Sequence, residues 1–234
     1  MRSKLFTSIS TAALIMAVTM PAPVAAIEVS PKNTIITTTQ AAACSDLMNL
    51  ASVNRSWIIR PYSNPNNYSV LVGLDWELGN ATNTEKLALL RTHACQVTGS
   101  YVNNIFMLVL GQYYVQPIGE LNSNNLVLYP TSGFGAISTL VTATAAQSCL
   151  DMLNLANRAH RNDLIVRSFI SGLGYTAVIG ATWHGLTQGE KLATLLSLQC
   201  HAANGVTGRQ DMNIQDNASG NVIGRLVNSQ LELF

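Results

Sequence analysis

The chain has 234 residues, 48% of them hydrophobic and only 11% charged, with a net charge of +1. An average domain has about 25% charged residues, so this surface is apolar enough to predict a homo-oligomer or another large buried interface. No basic patch is present to suit nucleic acid or an anionic membrane surface.

The first 26 residues read as a secretory leader. Arg2 and Lys4 form a positive start, an apolar run spans Ala12 to Met20, and Val24-Ala25-Ala26 offers small residues for cleavage. The run is shorter than the roughly 20 residues a membrane span needs. The expected product lies in the periplasm or is secreted, with no membrane span left after cleavage. Losing Arg2 and Lys4 takes the 13 basic residues to 11, against 12 acidic ones.

Beyond the leader the chain repeats itself at an offset of 105 residues. Cys44-Ser-Asp-Leu-Met-Asn-Leu-Ala51 matches Cys149-Leu-Asp-Met-Leu-Asn-Leu-Ala156. Thr82 to Leu90 matches Thr187 to Leu195, and Cys95 falls on Cys200. The register slips by two residues in between, as Trp76 and Trp183 show, and then returns. These matches predict leader 1–26, module 27–121, linker 122–135 and module 136–234. The period is too long for a solenoid.

The cysteines share the duplication. Bridging Cys44 to Cys95 and Cys149 to Cys200 is the one pairing of three that keeps each copy self-contained, and export makes bridges the expected state. A metal site is the rival reading, but no short Cys-x-x-Cys knuckle is present.

In each copy Cys44, Leu47, Met48 and Ala51, or Cys149, Met152, Leu153 and Ala156, recur at helical spacing. A second helix is expected over Asp163 to Ile179, weakened by Gly172 and Gly174. Thr82-x-x-Glu85 and Thr187-x-x-Glu190 are capping boxes that open a third helix. Asn213 to Leu226 alternates around Asn-Ala-Ser-Gly and predicts a hairpin; its counterpart, Phe106 to Leu121, carries Pro117, which suits an edge or a strand end. The expected fold is mainly α with short β hairpins, in two tandem disulfide-stapled helical modules.

No catalytic, cofactor-binding or metal-binding residues are assigned, and no cofactor is expected. His93, His160, His184 and His201 have no counterparts across the copies. The matched carboxylates Asp46 and Asp151 read as first-turn helix residues favoured by the dipole, and Glu85 and Glu190 as capping residues. The chain is not expected to be an enzyme.

Cys149, Asp151, Gly172, Tyr175 and Cys200, with Cys44, Asp46 and Cys95 in the first copy, make each helical part resemble the HdeA-type acid-stress chaperones of the bacterial periplasm. That resemblance implies a chaperone that binds unfolded clients in acid, when protonated carboxylates leave the basic side chains and four histidines to repel one another. The family is usually a single, charge-rich domain, and this chain departs from it in both respects. The competing expectation is an immunity or inhibitor-type protein that grips one specific protein partner.

Overall fold

A computed structural model describes residues 33–53, 55–64, 67–79, 81–101, 105–112, 116–130, 138–171 and 174–234. The leader of residues 1–26 lies outside the described residues. Asn33–Phe234 forms one compact unit.

Each copy runs through the same nine elements. The first has β1 (Thr34–Ile36), α1 (Gln40–Ala51), β2 (Ile58–Asn64), β3 (Asn67–Val72), α2 (Leu74–Leu78), α3 (Asn83–Thr98), β4 (Phe106–Gly111), β5 (Pro117–Asn122) and β6 (Asn125–Leu128). The second has β7 (Thr139–Val141), α4 (Ala145–Ala159), β8 (Ile165–Ser171), β9 (Gly174–Ile179), α5 (Ala181–His184), α6 (Gln188–Ala202), β10 (Met212–Asp216), β11 (Val222–Val227) and β12 (Gln230–Leu233).

The strands form two six-stranded mixed sheets, in the orders β2-β3-β4-β5-β6-β7 and β8-β9-β10-β11-β12-β1. This overturns the mainly helical expectation: the chain is an α/β protein. The expected helix over Asp163 to Ile179 is the β8–β9 hairpin, with Ile165 opposite Ile179 and Phe169 opposite Thr176. Ile165, Val166, Phe169, Thr176, Val178 and Ile179 are β-branched or aromatic and gain more on a pleated surface than in a helix. Asn125–Leu128, expected to be linker, is the strand β6, antiparallel to β5. Ser123 and Asn124 turn that hairpin at φ 45° and 74°, and Asn228 and Ser229 repeat the turn at 50° and 63°. Two successive positive φ values match the twist of a two-residue hairpin.

The modules are not self-contained either. β1 of the first copy lies antiparallel to β12 in the second copy's sheet, with Thr34 opposite Leu233 and Ile36 opposite Leu231. β7 of the second copy does the same in the first copy's sheet, with Leu126 opposite Val141. Each copy thus lends its first strand to close the far edge of the other's sheet. The exchange lets β6 and β12 make ladders on both sides and leaves edge strands of only three residues, β7 and β1, in their place.

One buried cluster joins the inner faces of both sheets with α1, α3, α4 and α6. Leu87 to Cys95 in α3 and Leu192 to Cys200 in α6 are buried at every position, as expected of helices enclosed all round. Both capping boxes form: Thr82 and Thr187 each accept from the backbone N–H of Glu85 or Glu190, and each glutamate accepts from the threonine N–H. Trp76 and Trp183 are matched core residues, each no more than 2% exposed. The extra length of the second copy here is taken up by α4, which has 15 residues against 12 in α1; Arg161 and Asn162 after it adopt φ 60° and 59°.

Cys44 is bonded to Cys95 and Cys149 to Cys200, with Cα separations of 6.0 and 6.1 Å. Each bridge ties α1 to α3 or α4 to α6. No described helix is long and apolar enough to cross a membrane.

Candidate functional site

The helices bring together residues that the sequence kept 100 positions apart. α3 packs on α4, α1 on α6, and α1 on α4, so the junction of the copies is a helical layer. Asp46 and Asp151 are not in first turns, since α1 begins at Gln40 and α4 at Ala145. They bear instead on the capping carboxylate of the opposite copy. Burial first and then the Glu190 charge hold Asp46 above the ordinary carboxylate value. Burial, with Glu85 adding to it, does the same for Asp151, against hydrogen bonding from Gln147 and the nearby His201. A Cβ on Gly189 would lie 2.4 Å from Oδ2 of Asp46, which shows how closely α6 begins against α1.

One side of this junction carries an ion pair across the copies, and the matching position on the other side has no cation for one. The Arg158 guanidinium pairs with Glu85 across the copies, whereas Val53 stands where Arg158 stands in the repeat. Arg91 is 5% exposed and donates to the Ala143 carbonyl and to Ser148 Oγ, each at 2.9 Å. Leu196 occupies the position matching Arg91.

Beside the Arg158–Glu85 pair lies a cleft of about 410 Å³, walled by Arg55, Trp57 and Ala81 of the first copy and Leu155, Arg158 and Ala159 of the second. The Arg55 guanidinium sits 5.6 Å from the centre of the Trp57 ring. The Trp57 N–H is buried without a partner, so it offers nothing to a ligand in the cleft. Among the described residues, the walls supply no nucleophile, no general base and no metal ligand.

The four cysteines share one buried cluster with Tyr101. Burial pushes the Tyr101 phenol up to about 12, with Ser197 of α6 acting against it, so the ring spans from the first copy into the second as a neutral group. The histidines are dispersed. His93 is 4% exposed, with Nδ1 3.2 Å from Gln96 Oε1; His184 Nε2 lies 3.1 Å from Asp216 Oδ1; His201 Nδ1 is 3.3 Å from the Ala146 carbonyl; and His160 caps α4. Among the described residues no three His, Cys, Asp or Glu side chains are grouped to hold a metal ion.

No family model matches this chain, and no curated protein or solved structure matches it. The two copies are therefore each other's best reference. On the inner faces of the sheets they agree: Met107, Leu121, Leu126 and Leu128 are matched by Met212, Leu226, Leu231 and Leu233.

On the outer faces they part. In the first sheet Leu71 pairs with Leu110, and a row runs from Leu108 through Glu120 and Val127 to Leu140. Phe106 and Leu140, at 45% and 62% exposure, flank it. Glu120, its one charge, accepts a 2.6 Å hydrogen bond from the Tyr129 hydroxyl. In the second sheet Asp211, Asn213, Gln215 and Glu232 stand where Phe106, Leu108, Leu110 and Val127 stand. There Glu232 accepts from Arg225 Nε at 2.6 Å, so these four positions are polar, although exposed Ile35 lies opposite Glu232 as Leu140 lies opposite Val127. The sequence carried this signal in the alternate positions of the repeat, but it is legible only once the inner and outer faces are known.

Proposed function

We propose that this chain is an exported, non-catalytic binding protein that grips a protein partner by the outer face of the β2–β7 sheet. One observation carries the reading: four positions on that face are apolar while their structural equivalents on the sister sheet are polar or charged. The same fold with the same core shows that folding does not require apolar residues there. A contiguous exposed apolar patch on a monomer marks an interaction site. With Glu120 bonded to Tyr129 and Arg60 opposite Leu71 at the β2 margin, the centre of the face suits an apolar surface on the partner. The two disulfides fit an oxidising compartment.

The test transplants the sister face. A Leu108→Asn, Leu110→Gln, Val127→Glu variant should fold as the parent does and lose a stoichiometric partner that the parent retains on a column. An Asn213→Ala, Gln215→Ala control on the other sheet should keep it. Retention of the partner by the triple variant sinks the reading.

An acid-triggered chaperone remains the second reading, and His93 is what favours it. Burial lowers its pKa from 6.5, so the folded chain resists its protonation and loses stability as the pH falls below that value. Asp46 and Asp151 act in the opposite sense. Protection of an aggregating client at about pH 2–3, lost in a His93→Leu variant that takes the residue of its match Leu198, would favour this reading over the first.

A further inference from the structure

Strand exchange leaves the three-residue strands β7 and β1 at one edge of the two sheets and β2 and β8 at the other. The latter two are equivalent in the repeat, yet they are built differently. β2 carries Pro61 opposite Val70, and β8 carries Ser168 opposite Ala177. Proline on an edge strand blocks further pairing. Because Pro61 has no N–H and still holds its place in the ladder, the matching N–H of Ser168 is not needed to bind β9. It is turned toward the open edge.

β8 has one usual protection, a register shift against β9 between Ile165 and Arg167, but past it the others are missing. Its seven residues, Ile165-Val-Arg-Ser-Phe-Ile-Ser171, include no proline, lysine or carboxylate. Ile170 is 80% exposed, Val166 43% and Phe169 39%. Its one charge, Arg167, sits 5.6 Å from the centre of the Phe169 ring. An antiparallel twofold through Ser168, on the regular part of the strand past the register shift, places Phe169 opposite Arg167, so cation meets ring in both halves. The strand is complementary to itself.

We propose that β8 pairs antiparallel with β8 of a second copy, joining two six-stranded sheets into one continuous sheet across a dimer. The contact is isologous, with the same residues on both sides, and so it closes rather than growing into a fibre. Main-chain hydrogen bonds around Ser168 supply the registration, as in strand-addition complexes generally. This surface is separate from the outer face of the β2–β7 sheet and leaves that face free.

The experiment measures the mass of the disulfide-bonded chain by sedimentation over a range of concentrations, with amide exchange alongside. The parent should reach twice the chain mass, and the amides of Ser168 and Ile170 should exchange more slowly as concentration rises. Ser168→Pro, which installs the sister strand's own residue, should return the mass to one chain. Ile170→Lys is a second variant at an exposed position, where a folding defect is not expected, and should do the same. A parent that stays at one chain mass overturns the proposal. So does a dimer that survives both variants, or one that persists in Ser168→Pro but is lost in Leu108→Asn, Leu110→Gln.

Discussion

Asp46 in α1 and Glu190 at the start of α6 are carboxylates from opposite copies, and the charge of Glu190 adds to burial in raising the Asp46 pKa above 3.8. The folded chain therefore holds this proton more tightly than the unfolded chain does. Ionising Asp46 costs the fold nothing well below pH 3.8; the cost grows as the pH rises through the raised value and is fully present at neutral pH. Asp46→Asn should thus raise stability at pH 7 by up to about 1 kcal/mol, since the site is partly solvated. It should change nothing at pH 3. Thermal melts of the two proteins at both pH values decide this, and a gain of equal size at pH 3 would count against it.

Glu85 and Glu190 have the same helix-capping duty, but only Glu85 is also paired across the junction. Glu190→Ala should cost about 1 kcal/mol, the worth of a cap. Glu85→Ala should cost more, about 2 kcal/mol, because it also strands Arg158. Arg158→Ala should supply most of the difference. Urea titrations of the three variants would show whether that order holds; equal losses for Glu85 and Glu190 would mean the ion pair contributes nothing.

The two bridges close loops of equal sequence separation, 51 residues. In the chain-entropy account each constrains the unfolded state by about 4 kcal/mol, a large share of the roughly 5–15 kcal/mol that holds a domain folded. Replacing Cys149 and Cys200 together by alanine should lower the guanidinium midpoint as much as replacing Cys44 and Cys95. A marked inequality between the pairs would show that unfolding of one copy precedes the other.

Gly119 and Gly224 match across the copies, and at each a side chain would collide with the neighbouring strand. A Cβ on Gly119 would sit 2.7 Å from the Val127 carbonyl oxygen, and one on Gly224 2.6 Å from that of Glu232. Backbone oxygen in a ladder cannot move aside as a flexible side chain can. Alanine at either site should cost about 2 kcal/mol, measurable by denaturant unfolding; a neutral substitution would mean that the sheet has room to shift.

What the residues disclosed in advance was local. The threonine and glutamate of each capping box lie within one turn, and the cysteine-bearing helix stripes repeat within three, so each could be read from its own segment. The β8–β9 hairpin was misread because Ile165, Phe169 and Ile170 also fit a helical spacing. What separates the two forms there is pairing with β10, a partner about 40 residues away. The exchange of β1 and β7 was invisible for a similar reason: Thr34–Ile36 and Thr139–Val141 are three residues each, and their partners lie in the other copy. The dipole role expected of Asp46 and Asp151 fails because each helix begins before its apolar stripe, with Thr39 and Thr144 as the true caps. The apolar outer face needed strand register before its residues could be told from the core.

The lending of β1 and β7 has a thermodynamic result. If the helices of one half melted alone, the opposite sheet would lose the strand that shields its rim, and the shared interior would be laid open at the same moment. Neither half keeps a complete structure without its neighbour, so heating should give one sharp calorimetric peak covering the entire body from Asn33 to Phe234, despite the tandem gene arrangement implied by the repeat.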